Sequence, residues 1–313
     1  MPRYILRRLI ATIPILLMLT FLVFGMLYVA PGDPAALIAG DTATPADIEA
    51  IRERMGLHRP FLEQFFAWIG GILQGDIGTS VYSGTPVAEM ISQRALPTAS
   101  LMGMTILISV VVSVPLGVMA AAFKGDTADR IIMVISVIGF SVPVFIVGYV
   151  LAYGLAIKLP IFPVQGYVSP DQDFGGFLRS LVLPSMALSF SYIALITRVT
   201  RSTLVEILSQ DYVRTARAKG VSRGRILFWH ALRNAAVQIS TVIGVGIAVL
   251  LGGSVIIETV FSIPGIGSLV VSAIVARDFP VIQGVLLVVS LVYVLVNLLI
   301  DLLYPVFDPR ISY

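Results

Sequence analysis

The sequence contains no cysteine, and only 12% of its 313 residues are charged. The first absence excludes disulfides, thiolate metal sites and a thiol nucleophile. The second decides the class. A soluble domain is about one-quarter charged, and a chain that is 57% hydrophobic has too little polar surface to cover a water-soluble globule of this size. Histidine is nearly missing: His58 and His230 lie far apart, with no ligand-like spacing around either. No Gly-x-x-x-x-Gly-Lys-Ser/Thr phosphate loop occurs, so nothing in the chain can cradle a nucleotide. The net charge of +3 is too small to point to nucleic acid.

Long apolar runs are what the chain does have. A membrane-spanning helix needs about 20 mainly apolar residues. Charge-free windows of that kind lie at 9–29, 95–123, 131–157, 180–197, 234–257 and 279–300, the fourth being the shortest. The first is too long for the apolar part of a signal peptide, and Pro31 follows the nearest small residue, Ala30, so it reads as a retained span. These windows predict an all-α integral membrane protein with six transmembrane helices.

Charge asymmetry orients them. With the N-terminus inside, the inside segments hold 14 of the 21 basic residues and 6 of the 18 acidic ones. The outside segments hold 7 basic and 12 acidic residues. The positive-inside rule therefore gives both termini inside.

The one large outside segment, 31–94, reads as short helices joined by turns. Thr44-Pro45-Ala46-Asp47 starts a helix, with Thr44 as cap, Pro45 in the first turn and Asp47 able to reach back. Gly56 ends it, and Pro60 opens another helix to about Leu73. Gly75-Asp76-Ile77-Gly78 is a turn, and Thr85-Pro86 begins a third short helix. Such a group of helices serves either as a structural lid or as a surface for a partner.

The windows carry no ionisable residue; Glu258 and Asp301 stand only at span ends. A proton- or sodium-coupled carrier needs such groups, or unwound helix ends, at mid-membrane. An intramembrane hydrolase needs a nucleophile with a base, and the hydroxyls here lack one. Ser109, Ser113, Ser136, Ser141, Ser185, Ser189, Ser240 and Gly244 are instead the small residues through which membrane helices pack, a wet pore wall being the lesser reading. Pro115 and Pro143 are expected to bend their helices.

The longest inside segment, 198–233, holds the candidate working part. Asp211-Tyr212-Val213-Arg214-Thr215-Ala216-Arg217-Ala218-Lys219 is helical in composition. Gly220 then supplies a residue able to take positive φ, and Ser222 caps a second helix over 223–234. Tyr212, Ala216 and Gly220 recur every fourth residue, a narrow stripe suited to close docking, flanked by Arg214, Arg217 and Lys219. The positive-inside rule alone supplies arginines to such a loop. It does not supply a glycine bend between two helices.

Tyr212 to Gly220, followed by His230-Ala231-Leu232-Arg233-Asn234-Ala235, resembles the EAA-loop signature of ATP-binding-cassette importer permeases. That signature is Glu-Ala-Ala, three residues, Gly, nine residues, then Ile-x-Leu-Pro. Ala216, Gly220 and Leu232 match; Arg214, Thr215, His230 and Arg233 depart from it in the way of the dipeptide/oligopeptide/nickel branch. Pro31-Gly32-Asp33-Pro34, Gly75-Asp76-Ile77-Gly78, Leu251-Gly252-Gly253-Ser254, Glu258-Thr259-Val260-Phe261, Pro264-Gly265-Ile266-Gly267, Arg277-Asp278-Phe279-Pro280 and Asp308-Pro309-Arg310 extend the likeness along the whole chain.

The resemblance implies a type I importer fold. Residues 1–30 would hold the N-terminal tail and first span, 31–94 the extracytoplasmic helices, 94–304 the transmembrane domain, and 305–313 a cytoplasmic tail. It implies a second, homologous permease, two cytoplasmic ATPase subunits that bind ATP and Mg, and an extracytoplasmic solute-binding protein, all at a bacterial inner membrane. This chain would bind no cofactor or metal and have no catalytic residue of its own. The coupling element would comprise Asp211, Tyr212, Arg214, Thr215, Ala216, Arg217, Lys219 and Gly220. The outside loop 258–279, with Glu258, Phe261, Pro264 and Gly265, is expected to form a short helix or re-entrant turn serving an outer gate, partner docking or simple connection. The expected cargo is a dipeptide or oligopeptide; nickel chelates, glutathione and other small solutes are the alternatives.

Overall fold

Local capping chemistry sets several helix ends. In the computed structural model, which describes residues 2–29, 34–39, 43–54 and 56–307, helix α3 (Pro45–Arg54) begins at the expected box. The Thr44 hydroxyl and backbone N–H both donate to the Asp47 carboxylate, at 2.6 and 3.0 Å. Those two bonds, the hydroxyl first, hold the Asp47 carboxyl below its usual range. Their contribution is present above the ordinary carboxylate pKa and is lost as pH falls. Gly56, at φ +65°, ends the helix, and α4 (Phe61–Leu73) follows Pro60. The Pro31-Gly32-Asp33 and Asp308-Pro309-Arg310 segments lie outside the described residues.

The described chain is helical: α1 (Pro2–Val29), α2 (Pro34–Ala39), α3, α4, α5 (Val87–Ala122), α6 (Thr127–Ser141), α7 (Val144–Leu151), a π-helix (Ala152–Lys158), α8 (Phe174–Leu208), α9 (Asp211–Ala218), α10 (Arg223–Arg225), a second π-helix (Ile226–Ala231), α11 (Leu232–Val260), α12 (Ile266–Ala276) and α13 (Phe279–Phe307). Among the described residues, three helices are long and apolar enough to cross a membrane, or up to five if each bent pair is one span. The window at 9–29 falls on α1.

The expected third short helix after Pro86 is in fact the beginning of α5, which runs unbroken through Pro97 and Pro115. Charge near the end of a span, here Glu89 and Arg94, made one helix read as two. Pro115 therefore does not interrupt its helix, whereas the α6–α7 pair turns by 103° at Val142–Pro143. α8 likewise outruns its charge-free window at both ends. Asp173 caps its start by accepting from Gly175 N–H at 2.9 Å, and its far end carries Arg198 and Arg201 as helical residues.

The chain forms two units. In the first, up to Leu96 with Ser268–Leu295, α4 lies on α1 through aromatic rings. Phe24 meets Phe61, Phe65 and Trp68 at centroid distances of 5.4, 5.6 and 5.4 Å, a spacing favourable for tilted and edge-on rings. In the same unit, buried Asp278 accepts from the Ser80 hydroxyl at 2.5 Å and Val81 N–H at 3.3 Å, anchoring the turn before α5 to the corner before α13.

The second unit, Pro97–Gly267 with the segment from Val296 on, is organised around α8. Two-thirds of its apolar window is buried (67%), against 39% for α5, which identifies it as the central helix. Small residues let its neighbours come close. Gly117 of α5 faces Thr197 and Thr200, and the Thr197 hydroxyl donates to the Ser113 carbonyl at 3.4 Å. Ser109, Ser113, Ser185, Ser189, Thr197 and Thr200 are all buried. This is the inverse of a soluble core, because Val134, Ile135, Ile138 and Phe140 of α6 face outward.

Candidate functional site

The corner between α8 and α11 is built by helix-end chemistry. α8 stops at Leu208, and two residues later α9 starts at Asp211. At its other end Val221 N–H donates to Ala216 O at 3.1 Å and Gly220 N–H to Arg217 O at 2.9 Å. Gly220 adopts φ +80°. These paired bonds form a Schellman closure, which a glycine permits without Cβ strain.

Val213 roots the element, being wholly buried (0% exposed). Asn234 Nδ2 donates to the Tyr212 hydroxyl at 2.9 Å, tying α9 to the first turn of α11. Asp211, Tyr212, Arg214, Thr215, Arg217, Lys219 and Gly220 are exposed, whereas Ala216 is half-buried. The expected stripe of Tyr212, Ala216 and Gly220 is therefore not one open face: Ala216 turns partly toward the protein. The Asp211–Arg214 ion pair is almost fully exposed at 3.3 Å, so its energetic weight is small.

The segment after Gly220 differs from expectation. Ser222 occupies the cap position, but its side chain accepts no capping bond. The single helix expected over 223–234 is one α-turn, the second π-helix and the start of α11. Arg223 leaves this segment to donate to the Ala122 carbonyl at the end of α5. Its guanidinium lies 5.8 Å from the Phe123 ring centre.

Beside this corner is an ion pair that the sequence alone did not reveal. Arg201 of α8 grips Asp129 of α6 through both carboxylate oxygens, at 2.5 and 2.7 Å. Gly125 N–H donates to the same carboxylate at 2.9 Å. Asp129 is buried, and such a forked pair fixes orientation as well as distance. The partners are 72 positions apart, so no local pattern announces them.

At the other end of α11, Glu258 is completely buried. Ile266 N–H donates to the Thr98 hydroxyl at 2.8 Å, which in turn donates to the Glu258 carboxylate at 2.7 Å. A Cβ on Gly265 would collide with the Glu258 carboxyl group, so the Pro264-Gly265-Ile266-Gly267 turn sits directly on this carboxylate. The expected short helix is present as α12. Of the four residues expected to form a gate or docking surface there, Glu258, Phe261 and Gly265 are buried and only Pro264 is exposed. Only Pro264 is presented at the surface; the others brace the turn from within. Phe261 also accepts, through its carbonyl, from Gly166 N–H at 2.9 Å.

Comparison with known proteins finds relatives along the whole length of the chain. Residues 113–313 match the family model described as binding-protein-dependent transport system inner membrane component, and residues 1–102 match its N-terminal companion. A probable peptide ABC transporter permease, y4tP, of Sinorhizobium fredii is 51% identical, covering 99% of this chain and 99% of its own length. The oligopeptide transport system permease AppB of Bacillus subtilis is 40% identical with full coverage of both chains (100% and 100%). The glutathione transport system permease GsiC of Escherichia coli is 39% identical, again over 100% of each. Among solved structures, the inward-facing MetNI methionine ABC transporter aligns with a TM-score of 0.60 at 16% identity, covering 71% of this chain and 97% of that one.

Proposed function

Because this chain belongs to the family of binding-protein-dependent transport system inner membrane components, we propose that it forms, with a second permease of its kind, the passage for dipeptides or oligopeptides. It is a permease subunit of an ABC importer in a bacterial inner membrane, without an ATPase site of its own. In this reading the chain crosses the membrane six times with both ends inside, and residues 31–94 face outside. Residues 94–304 form the transmembrane domain, and 305–313 a short inside tail. An extracytoplasmic binding protein delivers the solute, and separate subunits holding ATP and Mg drive alternating access. The peptide assignment is supported by the names of y4tP and AppB; the name of GsiC keeps glutathione as the second reading.

One observation carries the coupling assignment: α9 is an exposed element closed at Gly220 and rooted by Val213 and Asn234. A partner pressing on Tyr212, Arg214, Thr215 or Lys219 would move the start of α11 with it, Arg217 turning toward the cleft beside α8. A floppy loop would dissipate the several kcal/mol that switching a gate requires, about 5.5 for a full reversal from 1:99.

Gly220→Val tests this. Nothing lies within 4 Å of a Cβ there, so the substitution acts through backbone conformation rather than a clash. A left-handed β-branched residue costs at least about 1–2 kcal/mol, enough to reduce coupled transport about tenfold. In proteoliposomes of the assembled transporter, peptide uptake should fall while ATP hydrolysis continues. Gly224→Val, also in open space but without positive φ, should transport normally. Equal uptake by both variants would remove the coupling role from this corner. The cargo is settled separately, by native mass spectrometry of the isolated binding protein.

A further inference from the structure

We infer that the cleft where α5, α8 and α9 meet binds the headgroup phosphate of an anionic phospholipid. The cleft holds about 560 Å³ and is lined by Lys124, Arg217 and Arg223 with no carboxylate among its lining residues. Its remaining wall is mainly apolar, including Val205, Leu208, Ile226 and Leu227. Three cations facing an apolar wall suit an amphiphile with an anionic head; a small inorganic anion would leave that wall wetted.

Among the described residues no carboxylate pairs with these cations. Arg223 is fixed against the Ala122 carbonyl and the Phe123 ring. Lys124 and Arg217 are exposed and form no ion pair among the described residues. The level of the cleft relative to a bilayer is marked by aromatic side chains adjoining its lining residues. Trp229 is 67% exposed, and amphipathic tryptophan rings concentrate at the membrane–water boundary; the apolar rings of Phe123 and Phe228 beside the lining residues are also exposed. Apolar helices lead away on one side, and the basic corner lies on the other. The inner leaflet is the anionic one, and basic pockets between helices at that level bind its headgroups. The inference rests on the inside orientation of this corner, not on the coupling role of α9.

The test uses the assembled transporter in phosphatidylcholine nanodiscs containing a minor fraction of phosphatidylglycerol, with retained lipid counted by native mass spectrometry. Phosphatidylglycerol should be retained selectively. Lys124→Gln and Arg217→Gln should each weaken retention about fivefold, from about 1 kcal/mol per cation. Lys158→Gln, at the other end of the membrane segment, should leave it unchanged. Unchanged retention in the Lys124→Gln/Arg217→Gln double variant would overturn the inference. So would inorganic phosphate displacing the lipid at equal concentration, which would make the cleft a free-anion site. Cross-links from Lys124 to an ATPase carboxylate in the lipid-loaded complex would give the cleft to that subunit and overturn the inference equally. Uptake is not read in any arm, so failure here is distinct from failure of the coupling assignment.

Discussion

Gly117→Leu is expected to abolish accumulation of the folded permease, whereas Gly103→Leu on the same helix should be tolerated. A Cβ at position 117 would stand 2.5 Å from Thr200 Cβ and 2.9 Å from the Thr197 carbonyl oxygen. The second of these is backbone and cannot rotate away. α5 and α8 would have to separate along the seam where the Thr197 hydroxyl reaches Ser113. Overpacking of this kind costs about 3 kcal/mol, and more where no side chain can yield. Gly103 has nothing within 4 Å of its Cβ position, so a side chain there meets only the surroundings of the helix. The comparison is made by fluorescence-detected size-exclusion profiles and thermal midpoints in detergent. Equal behaviour of the two variants would show that the seam does not hold the unit together.

Glu258→Ala is the second large effect. The substitution leaves the Thr98 hydroxyl without its acceptor and opens space beneath the turn that carries Pro264 and Gly265. An unsatisfied buried donor costs about 1–3 kcal/mol, and the vacated volume adds to it. Glu258→Gln keeps the shape and an acceptor oxygen, so its loss should be about 1 kcal/mol. The expected order in thermal midpoint and peptide uptake is therefore wild type, Gln, then Ala. Should Gln prove as damaging as Ala in uptake while matching wild type in stability, the negative charge itself would be needed for transport.

Features resting on neighbouring residues were legible in the sequence. The Thr44–Asp47 box, the glycine stops at 56 and 220, and the break at Pro143 all follow from chemistry within a few positions. Charge-free length located the apolar windows because bilayer thickness sets it. The same criterion misplaced helix ends: Arg198 and Arg201 lie inside α8, and Glu89 and Arg94 inside α5, since a helix does not stop where its charges begin. Contacts across long separations were hidden. Nothing near Val213 marks it as the root of α9, and nothing near Asp129 points to Arg201. The two π-helices, 152–158 and 226–231, have no compositional mark that distinguishes them from α-helix. At the Pro264–Gly267 turn, pattern alone found Glu258 but not that it faces inward.

The forked clasp between Arg201 and Asp129 has a mechanical consequence. Two parallel bonds at 2.5 and 2.7 Å resist twisting as well as pulling, so the first turn of α6 and the C-terminal part of α8 are held as one strut. In the proposed coupling role of α9, a stroke passing through its two-residue link to α8 would swing both together. Sliding one past the other is closed to the molecule while the clasp holds.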